Sequence, residues 1–288
     1  MAQMILHPTD FSPASAVAFA HALRFALDGR GLLSILHVED RPKAGAAVDD
    51  GATDAARWAQ YPQVRETLQA WGLLPDGSLR GDVAQHLGLA VEKVVGYGDV
   101  QQAVAGYVQK RPMDLVVLAT GGREGVSRWV APSLAEPMIR DARLPALFVH
   151  SDGRSLVDPQ TGRVHLEHVL IAVATDPTPH RGIATALHIL RDLGDVEAPV
   201  QVHLLHVGDA DSAPEVELPN SSRWRSEMLI RKGEPATVIP EVAEEVRADL
   251  VVMITAGSDG IVDALRGSTS EVVVRRSRCP VLSVPAEF

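Results

Sequence analysis

The sequence predicts an α/β chain made of two consecutive copies of one parallel-sheet domain, each sheet covered by helices on both faces. Three observations predict it. First, the last third of each half repeats. Residues Met113 to Val149 hold MDLVVLATGGREG, a Ser-Leu-Ala-Glu segment and LPALFV; Ala248 to Val284 hold ADLVVMITAGSDG, a Ser-Thr-Ser-Glu segment and CPVLSV. One offset of 135 aligns them without a gap, Asp114 on Asp249 and Pro145 on Pro280. A repeat of about half the chain marks a duplicated domain. Second, short apolar runs alternate with helix-length segments, a pattern that demands parallel strands joined by crossover helices. Third, 288 residues with 46% hydrophobic and 22% charged content suffice for two globular cores.

The elements follow in order. MILHPTD (4–10) matches LIAVATD (170–176) at an offset of 166, each an apolar run ending in Thr-Asp, as expected of a buried parallel strand. Ser12-Pro13 and Thr178-Pro179 then each place an N-cap hydroxyl before a proline at the first helical position. Ala16, Ala20, Leu23 and Leu27 make one apolar stripe on the helix that follows. Gly29 ends that helix and Gly194 its counterpart. The second strands are SILHVED (34–40) and HLLHVGD (203–209), at an offset of 169. The third strands lead into Gly98-Asp99 and Gly233-Glu234, each followed by a helix and the fourth strand. Between strands two and three the first half has 52 residues (41–92), in which Val64, Leu68 and Trp71 mark an amphipathic helix. The second half has 18 (210–227) and is expected to lack that helix. The expected units are residues 1–150 and 167–288, joined by a linker at 151–166 whose turn signals sit in a polar stretch.

Composition excludes several functions. With 27 Lys and Arg against 37 Asp and Glu, the net charge of -10 opposes general nucleic-acid binding, which needs clustered cations. No apolar stretch reaches the length of a membrane span. MAQMILHPTD shows no secretion signal, and Cys279 as the only cysteine fits a reducing cytoplasm. The P-loop and G-x-G-x-x-G patterns are missing, as is an S-G-G-x-D-S loop. No base, nucleophile and metal can be assembled into a catalytic site, so an enzyme is not expected. His203 and His206 have the look of an H-x-x-H metal pair, but three residues apart on a strand they point to opposite faces. His37 matches His206, which fits packing, and Cys279 reads as a buried structural thiol.

Chemistry is therefore sought at two loops in each half, Thr-Asp after strand one and the Gly loop after strand four. If strands one and four are neighbours, the loops face each other across the crevice where open α/β sheets hold ligands. Asp10 or Asp176 could accept from a ribose hydroxyl or an adenine amine, while loop and helix N–H groups hold phosphates. Equally, both Asp residues read as Asx-turn residues, and Ser133-x-x-Glu136 and Ser268-x-x-Glu271 as capping boxes.

With those motifs in place, the sequence resembles the universal stress proteins in tandem two-domain form, over almost the whole of both halves. The ATP-binding members carry a strand ending in Asp and a G-x2-G-x9-G-[S/T] loop. Here the loop reads Ile254-Thr-Ala-Gly257, nine residues, then Gly267-Ser268 in the second half; in the first it reads Ala119-Thr-Gly-Gly122, nine residues, then Pro132-Ser133. The resemblance implies Rossmann-like, adenine-nucleotide alpha-hydrolase-like domains with five parallel strands in the order 3-2-1-4-5. It also implies that the last strands pair antiparallel across a pseudo-two-fold, so that one chain mimics a dimer; further homodimerisation is left open. The implied ligand is an adenine nucleotide (ATP, with Mg, ADP or AMP) acting as a regulatory signal, with slow ATP hydrolysis as the most catalysis to expect.

The departures grade the two sites. Ile254 places a branched side chain where the family's first glycine lets a nucleotide approach, and Asp259 and Asp263 add negative charge. In the first half Pro132 and Pro137 remove backbone donors, although Arg123 and Arg128 could supply charge. The second half is preferred, with Ala174, Thr175, Asp176, Val207, Met253, Ile254, Gly257, Gly267, Ser268 and Thr269 as its implied site. The weaker first-half set is Pro8, Thr9, Asp10, Val38, Leu118, Ala119, Gly122 and Ser133. No metal site is expected. The rival reading is an interaction protein with degenerate sites, whose shorter second half exposes a surface for a partner protein or a small apolar ligand.

Overall fold

A computed structural model describes residues 2–39, 51–120, 144–194, 199–219, 221–255 and 269–286. The strands are β1 (Met4–Thr9), β2 (Leu32–Glu39), β3 (Ala90–Tyr97), β4 (Leu115–Thr120), β5 (Ala146–His150), β6 (His168–Ala172), β7 (Val200–Val207), β8 (Trp224–Arg231), β9 (Leu250–Thr255) and β10 (Val281–Pro285). The described helices are α1 (Pro13–Asp28), α2 (Gly51–Gln60), α3 (Val64–Ala70), α4 (Arg80–Leu87), α5 (Val100–Lys110), α6 (His180–Leu190), α7 (Pro235–Glu245) and α8 (Thr269–Arg276).

All ten strands form one sheet in the order β3-β2-β1-β4-β5-β10-β9-β6-β7-β8. Each half thus has the expected order 3-2-1-4-5. Neighbours run parallel within a half, and β5 meets β10 antiparallel, with Phe148 opposite Val281 and Ala146 opposite Ser283.

The two faces of the sheet are packed differently. On the α1 and α6 face one core crosses the midline, joining Phe19, Leu23 and Leu33 of the first half to Leu187, Val202 and Leu204 of the second. On the other face there are two cores. One gathers Leu36, Val104 and Val116 under α5, the other Leu205, Ile239 and Val251 under α7 and α8. Phe148 packs against both. A fully buried Leu or Phe stabilises the fold by about 1.5–3 kcal/mol, so the shared core is a large coupling between halves.

Several local expectations change. Ser12 caps α1 as expected, its hydroxyl accepting from Ser15 N at 3.1 Å, with Pro13 at the helix start. Thr178 does not cap α6: the helix begins one residue later, the Pro179 carbonyl accepts from Ile183 N at 2.8 Å, and no side chain caps it. Pro179 itself stands at the N-cap, where its fixed φ suits the helix entry and its ring offers no side-chain acceptor. Likewise α6 stops at Leu190, before Gly194, whose left-handed φ of 68° turns the chain four residues further on.

The α1 stripe is too narrow a description: Ala18, Phe19, Ala20, His21, Ala22 and Leu23 are buried in succession, so the helix is covered all round. Part of its outer cover is the expected linker. Leu156 and Val157 are buried, the Val157 N–H donates to His21 Nε2 at 3.2 Å, and Trp71 Nε1–H donates to the Pro159 carbonyl at 3.1 Å. The halves also touch directly where Gly194 N–H donates to Asp28 Oδ2 at 2.7 Å.

Between β7 and β8 the described residues hold a 3-10 turn (Ala210–Ser212) where the first half holds α2, α3 and α4. The shorter connection leaves no barer edge: Met228 and Ile230 on β8 are each 38% exposed, against 37% and 39% for Val91 and Val95 on β3.

Candidate ligand site at the strand ends of the second half

The parallel strands of the second half end at a cavity of about 320 Å³ on the α7 and α8 face. Its walls come from the ends of β6, β7 and β9, the starts of α7 and α8, and the middle of β10. This is the crevice in which open α/β sheets hold ligands. Of the expected second-half residues, Ala174, Asp176, Val207, Met253, Ile254 and Thr269 line it. Thr175 is exposed in the same loop but does not line it. Gly257, Gly267 and Ser268 lie outside the described residues, as do Asp259, Asp263 and the Ser268 end of the capping box.

The walls are mainly apolar. Leu205, Ile239, Val274 and Val281 supply that surface, and Thr269, Ser270, Ser283 and Asp176 supply the polar groups. Asp176 is exposed, and among the described residues nothing pairs with its carboxylate. Among the described lining residues none is Lys or Arg.

Ile254 borders the cavity, but its side chain is not the plug that its sequence position suggests. Alternation along β9 puts Met253 in the α7 and α8 core and packs Ile254 against the α1 and α6 core. There it fills the space over Gly182 of α6: a Cβ on Gly182 would stand 2.7 Å from Ile254 Cγ2. By the offset of 166 the first half carries Ala16 for Gly182, and by that of 135 Ala119 for Ile254. A pair of small residues in one half becomes a glycine and a large residue in the other.

The sheet register corrects the alignment of the first strands. Ile5 pairs with Leu115 and Val169 with Leu250, and Leu115 and Leu250 are equivalent at the offset of 135. The backbone N–H of Met4 donates to Asp114 Oδ2 and that of His168 to Asp249 Oδ2, fixing the same equivalence. The structural offset is therefore 164, not 166. Within the strand Thr9 corresponds to Val173, and Thr175-Asp176 stands two residues further out, in the loop before α6.

At the end of β1 the first half builds a side-chain cluster on the α1 face of the sheet. Pro8, Thr9, Val38 and Leu118 are buried, and Asp10 and Ala119 are half-buried. Asp10 closes an Asx turn, Oδ1 accepting from Ser12 N at 3.0 Å. The Thr9 hydroxyl lies 2.7 Å from Ser15 Oγ and accepts from Phe11 N at 3.0 Å. Beneath it His7 donates from Nδ1 to the Val117 carbonyl at 3.0 Å, which leaves its Nε2 unprotonated 2.7 Å from the Tyr61 hydroxyl, and the Tyr61 O–H is shared between that nitrogen and the Ser15 carbonyl at 2.9 Å. Burial holds the His7 pKa down at about 4, neutral, against the raising effect of the Val117 hydrogen bond and of Asp10; burial likewise pushes the Tyr61 phenol well up.

Above this cluster Phe11, in the left-handed region at φ 62°, lies 4.2 Å from the His37 ring at a tilt of 37° and meets Trp58 edge-on at 4.8 Å. Nothing local in the sequence joins Tyr61 or Trp58 to the first strand. The one available signal was polar: His7 in the middle of an apolar strand needs partners. Gly122, Ser133, Pro132, Pro137, Arg123, Arg128 and Glu136 lie outside the described residues.

The remaining candidates separate. His203 donates from Nδ1 to Glu227 Oε1 at 2.7 Å and turns Nε2 to His168 Nδ1 at 3.1 Å, while His206 holds the Val173 carbonyl and the Ser212 hydroxyl. No group of three His, Cys, Asp or Glu among the described residues has metal-holding geometry. Cys279 is buried, and burial pushes its thiol up to about 12 even with Arg154 acting the other way. No described helix is long and apolar enough to cross a membrane.

Fold and crevice together define a tandem α/β protein with a cleft at the carboxyl ends of the parallel strands of its second half. The chain belongs to the universal stress protein family, whose family model matches residues 1–150 and 225–285. The unmatched stretch contains β6, α6 and β7, and so includes the strand displaced by two residues in the sheet. A universal stress protein of Mycobacterium tuberculosis is 26% identical over 257 residues, spanning 80% of this chain and 83% of the relative. Among solved structures, a universal stress protein from Archaeoglobus fulgidus shares the fold over 99% of this chain and 97% of its own, with a TM-score of 0.59 at 19% identity. A protein from Pseudomonas aeruginosa described as a putative universal stress protein covers 98% and 92%, with a TM-score of 0.58 at 16% identity.

Proposed function

We propose that the chain binds an adenine nucleotide in the cavity of its second half and that occupancy of this site is its regulatory signal. The carrying observation is the convergence of Asp176, Thr269 and Ser270 on one apolar cavity at the sheet's ligand crevice. A volume of about 320 Å³ is small for a ligand pocket, at the lower end of the roughly 300–1,000 Å³ range. The unpaired Asp176 carboxylate can accept from ribose hydroxyls at the mouth. The Thr269 and Ser270 hydroxyls, on the cavity wall at the first described turn of α8, can donate to a phosphate. With no described cation in the wall, a triphosphate needs its charge met by Mg²⁺, whereas AMP needs less.

The test is direct. Purified protein is heat-denatured and the supernatant chromatographed for ATP, ADP and AMP, and the apo-protein is titrated with AMP and Mg-ATP while its thermal midpoint is followed. Bound nucleotide or a rise in midpoint, reduced by Asp176→Ala, is the expected result. An empty supernatant together with an unmoved midpoint for every nucleotide overturns the reading.

A further inference from the structure

Far from the crevice, three neighbouring strands bring His168, His203 and Glu227 together. Leu170 pairs with His203 and His203 with Glu227, so His168 stands one diagonal step from His203. By alternation all three share the face of Leu170, Leu205 and Leu229, which belong to or pack on the α7 and α8 core. The sequence offers His206 as the partner of His203; the sheet supplies His168 instead. Glu227 Oε1 accepts the Nδ1 proton of His203 at 2.7 Å, so the neutral ring turns an unprotonated Nε2 to His168 Nδ1 at 3.1 Å. The two rings lie within 22° of parallel. Two imidazole nitrogens on one tetrahedral cation, each at about 2.0–2.1 Å, stand about 3.3 Å apart, close to the spacing found. A carboxylate on the far ring nitrogen is the usual outer partner of a metal-bound histidine, because it fixes the tautomer and raises basicity. His203 is buried, but His168 is half-buried and Glu227 exposed, so a cation can reach the pair from that side. Asp249, accepting from the His168 N–H at 2.9 Å, adds a second negative charge nearby.

The first half shows how the same place is filled without a ligand. Leu6 pairs with Ser34 and Ser34 with Glu92, so Met4, Ser34 and Glu92 correspond to His168, His203 and Glu227. There Glu92 accepts from the Ser34 hydroxyl at 2.8 Å and from the Tyr107 hydroxyl, and pairs with the Arg111 guanidinium. At the offset of 135, Tyr107 and Arg111 become Val242 and Val246. The second half keeps the carboxylate, loses that arginine and gains two imidazoles. We propose that His203 Nε2 and His168 Nδ1 together bind one late first-row divalent cation, Zn²⁺ or Cu²⁺, with Glu227 as the outer carboxylate and water completing the coordination. The cation takes the place of the proton between the rings, and His168 carries its proton on Nε2 instead. Imidazole suits both ions, and Cu²⁺ binds the more tightly. With two protein ligands in place of the three or four of a permanent centre, the ion is exchangeable. The site lies at the start of β6, whereas the crevice lies at its end, and it stands independently of the nucleotide reading.

Calorimetric titration of the chelator-treated full chain with Zn²⁺, Cu²⁺ and Mg²⁺, without nucleotide, tests this. His168→Gln, His203→Gln and Glu227→Gln are titrated beside it, each checked by its thermal unfolding curve. The wild type is expected to bind a single Zn²⁺ or Cu²⁺, with Cu²⁺ the tighter, and to ignore Mg²⁺, which prefers oxygen ligands. Either histidine variant is expected to abolish that binding, and Glu227→Gln to weaken it about tenfold. His86→Ala, which removes an exposed histidine of α4, is expected to change nothing. Electron paramagnetic resonance of the copper-loaded wild type needs no variant and is expected to show two bound imidazole nitrogens. A wild type that binds neither Zn²⁺ nor Cu²⁺ overturns the site. Binding that His168→Gln and His203→Gln both retain undiminished overturns it too, as does a copper spectrum without imidazole nitrogen.

Discussion

On one face of the sheet the two halves share a single core, and on the other the described residues form separate cores that both touch Phe148. On the shared face the segment 151–166 is packed down over α1, and Asp28 holds the turn at Gly194. The divided face contains the cavity. A duplicated chain thus uses one side of its sheet to hold the copies together and retains space for a ligand on the other.

The strongest way to break that contrast is to cut the chain. Residues 1–150 and 167–288 produced separately each expose half of the shared core, including Leu23 and Phe25 on one side or Leu187 and Ile189 on the other. Neither fragment is expected to show a cooperative thermal transition alone, whereas the intact chain unfolds in one. Two resolved transitions in the intact chain, or a cooperatively folded fragment, would show that the shared core does not couple the halves.

Acid sharpens the same contrast with the next largest effect. His7 and His21 are both on the shared face, and burial lowers the pKa of each to about 4. His21 donates from Nδ1 to the Val17 carbonyl, so Nε2 must stay unprotonated to accept from Val157. The unfolded chain has histidines near 6.5 and binds more protons between that pH and 4. Stability from these groups is therefore complete above about pH 6.5 and is lost as pH falls toward 4, by roughly 3 kcal/mol for each. Urea unfolding at pH 7 and pH 5 reads it, and His21→Gln is expected to flatten part of the difference. An unfolding midpoint equal at both pH values would contradict the buried, neutral state of these rings.

How much of this was legible beforehand depends on what a strand pattern can encode. The repeat, the strand-loop-helix unit and the location of the second-half crevice follow from residues close in sequence. The two-residue displacement of β6 does not, because side chains alternate with a period of two and a slip of two preserves every inward and outward position. Aligning Thr9-Asp10 with Thr175-Asp176 matched residue types where only backbone register could show the difference. Phe148 was equally hidden: an apolar residue in a core strand looks the same whether it faces its own half or lines the other half's cavity. The cluster of Tyr61, Phe11 and Trp58 depends on contacts across some fifty residues, with only His7 to hint at them.

The smallest expected effect bears on the seam between the shared core and the cavity. Ile254 was a reason to doubt the site, and Gly182 is why its side chain can be accommodated away from the crevice. Both residues are needed for that arrangement. Gly182→Ala brings a methyl to 2.7 Å from Ile254 Cγ2, a separation that packed atoms do not keep, so Ile254 or α6 must move. Overpacking of this kind costs about 1–3 kcal/mol, partly offset by the better helix propensity of alanine, about 1 kcal/mol. Ile254→Ala alone leaves a gap over Gly182. The double variant, Gly182→Ala with Ile254→Ala, restores the first half's small pair and is expected to be more stable than the sum of the single effects, a favourable coupling of 0.5 kcal/mol or more by urea unfolding, on the order seen for residues in contact. Additive effects would mean that Ile254 does not depend on the space over Gly182, and its side chain would then be free to turn into the cavity. In that case Gly182→Ala should also weaken nucleotide binding, so unfolding and titration of the same three variants decide where Ile254 points.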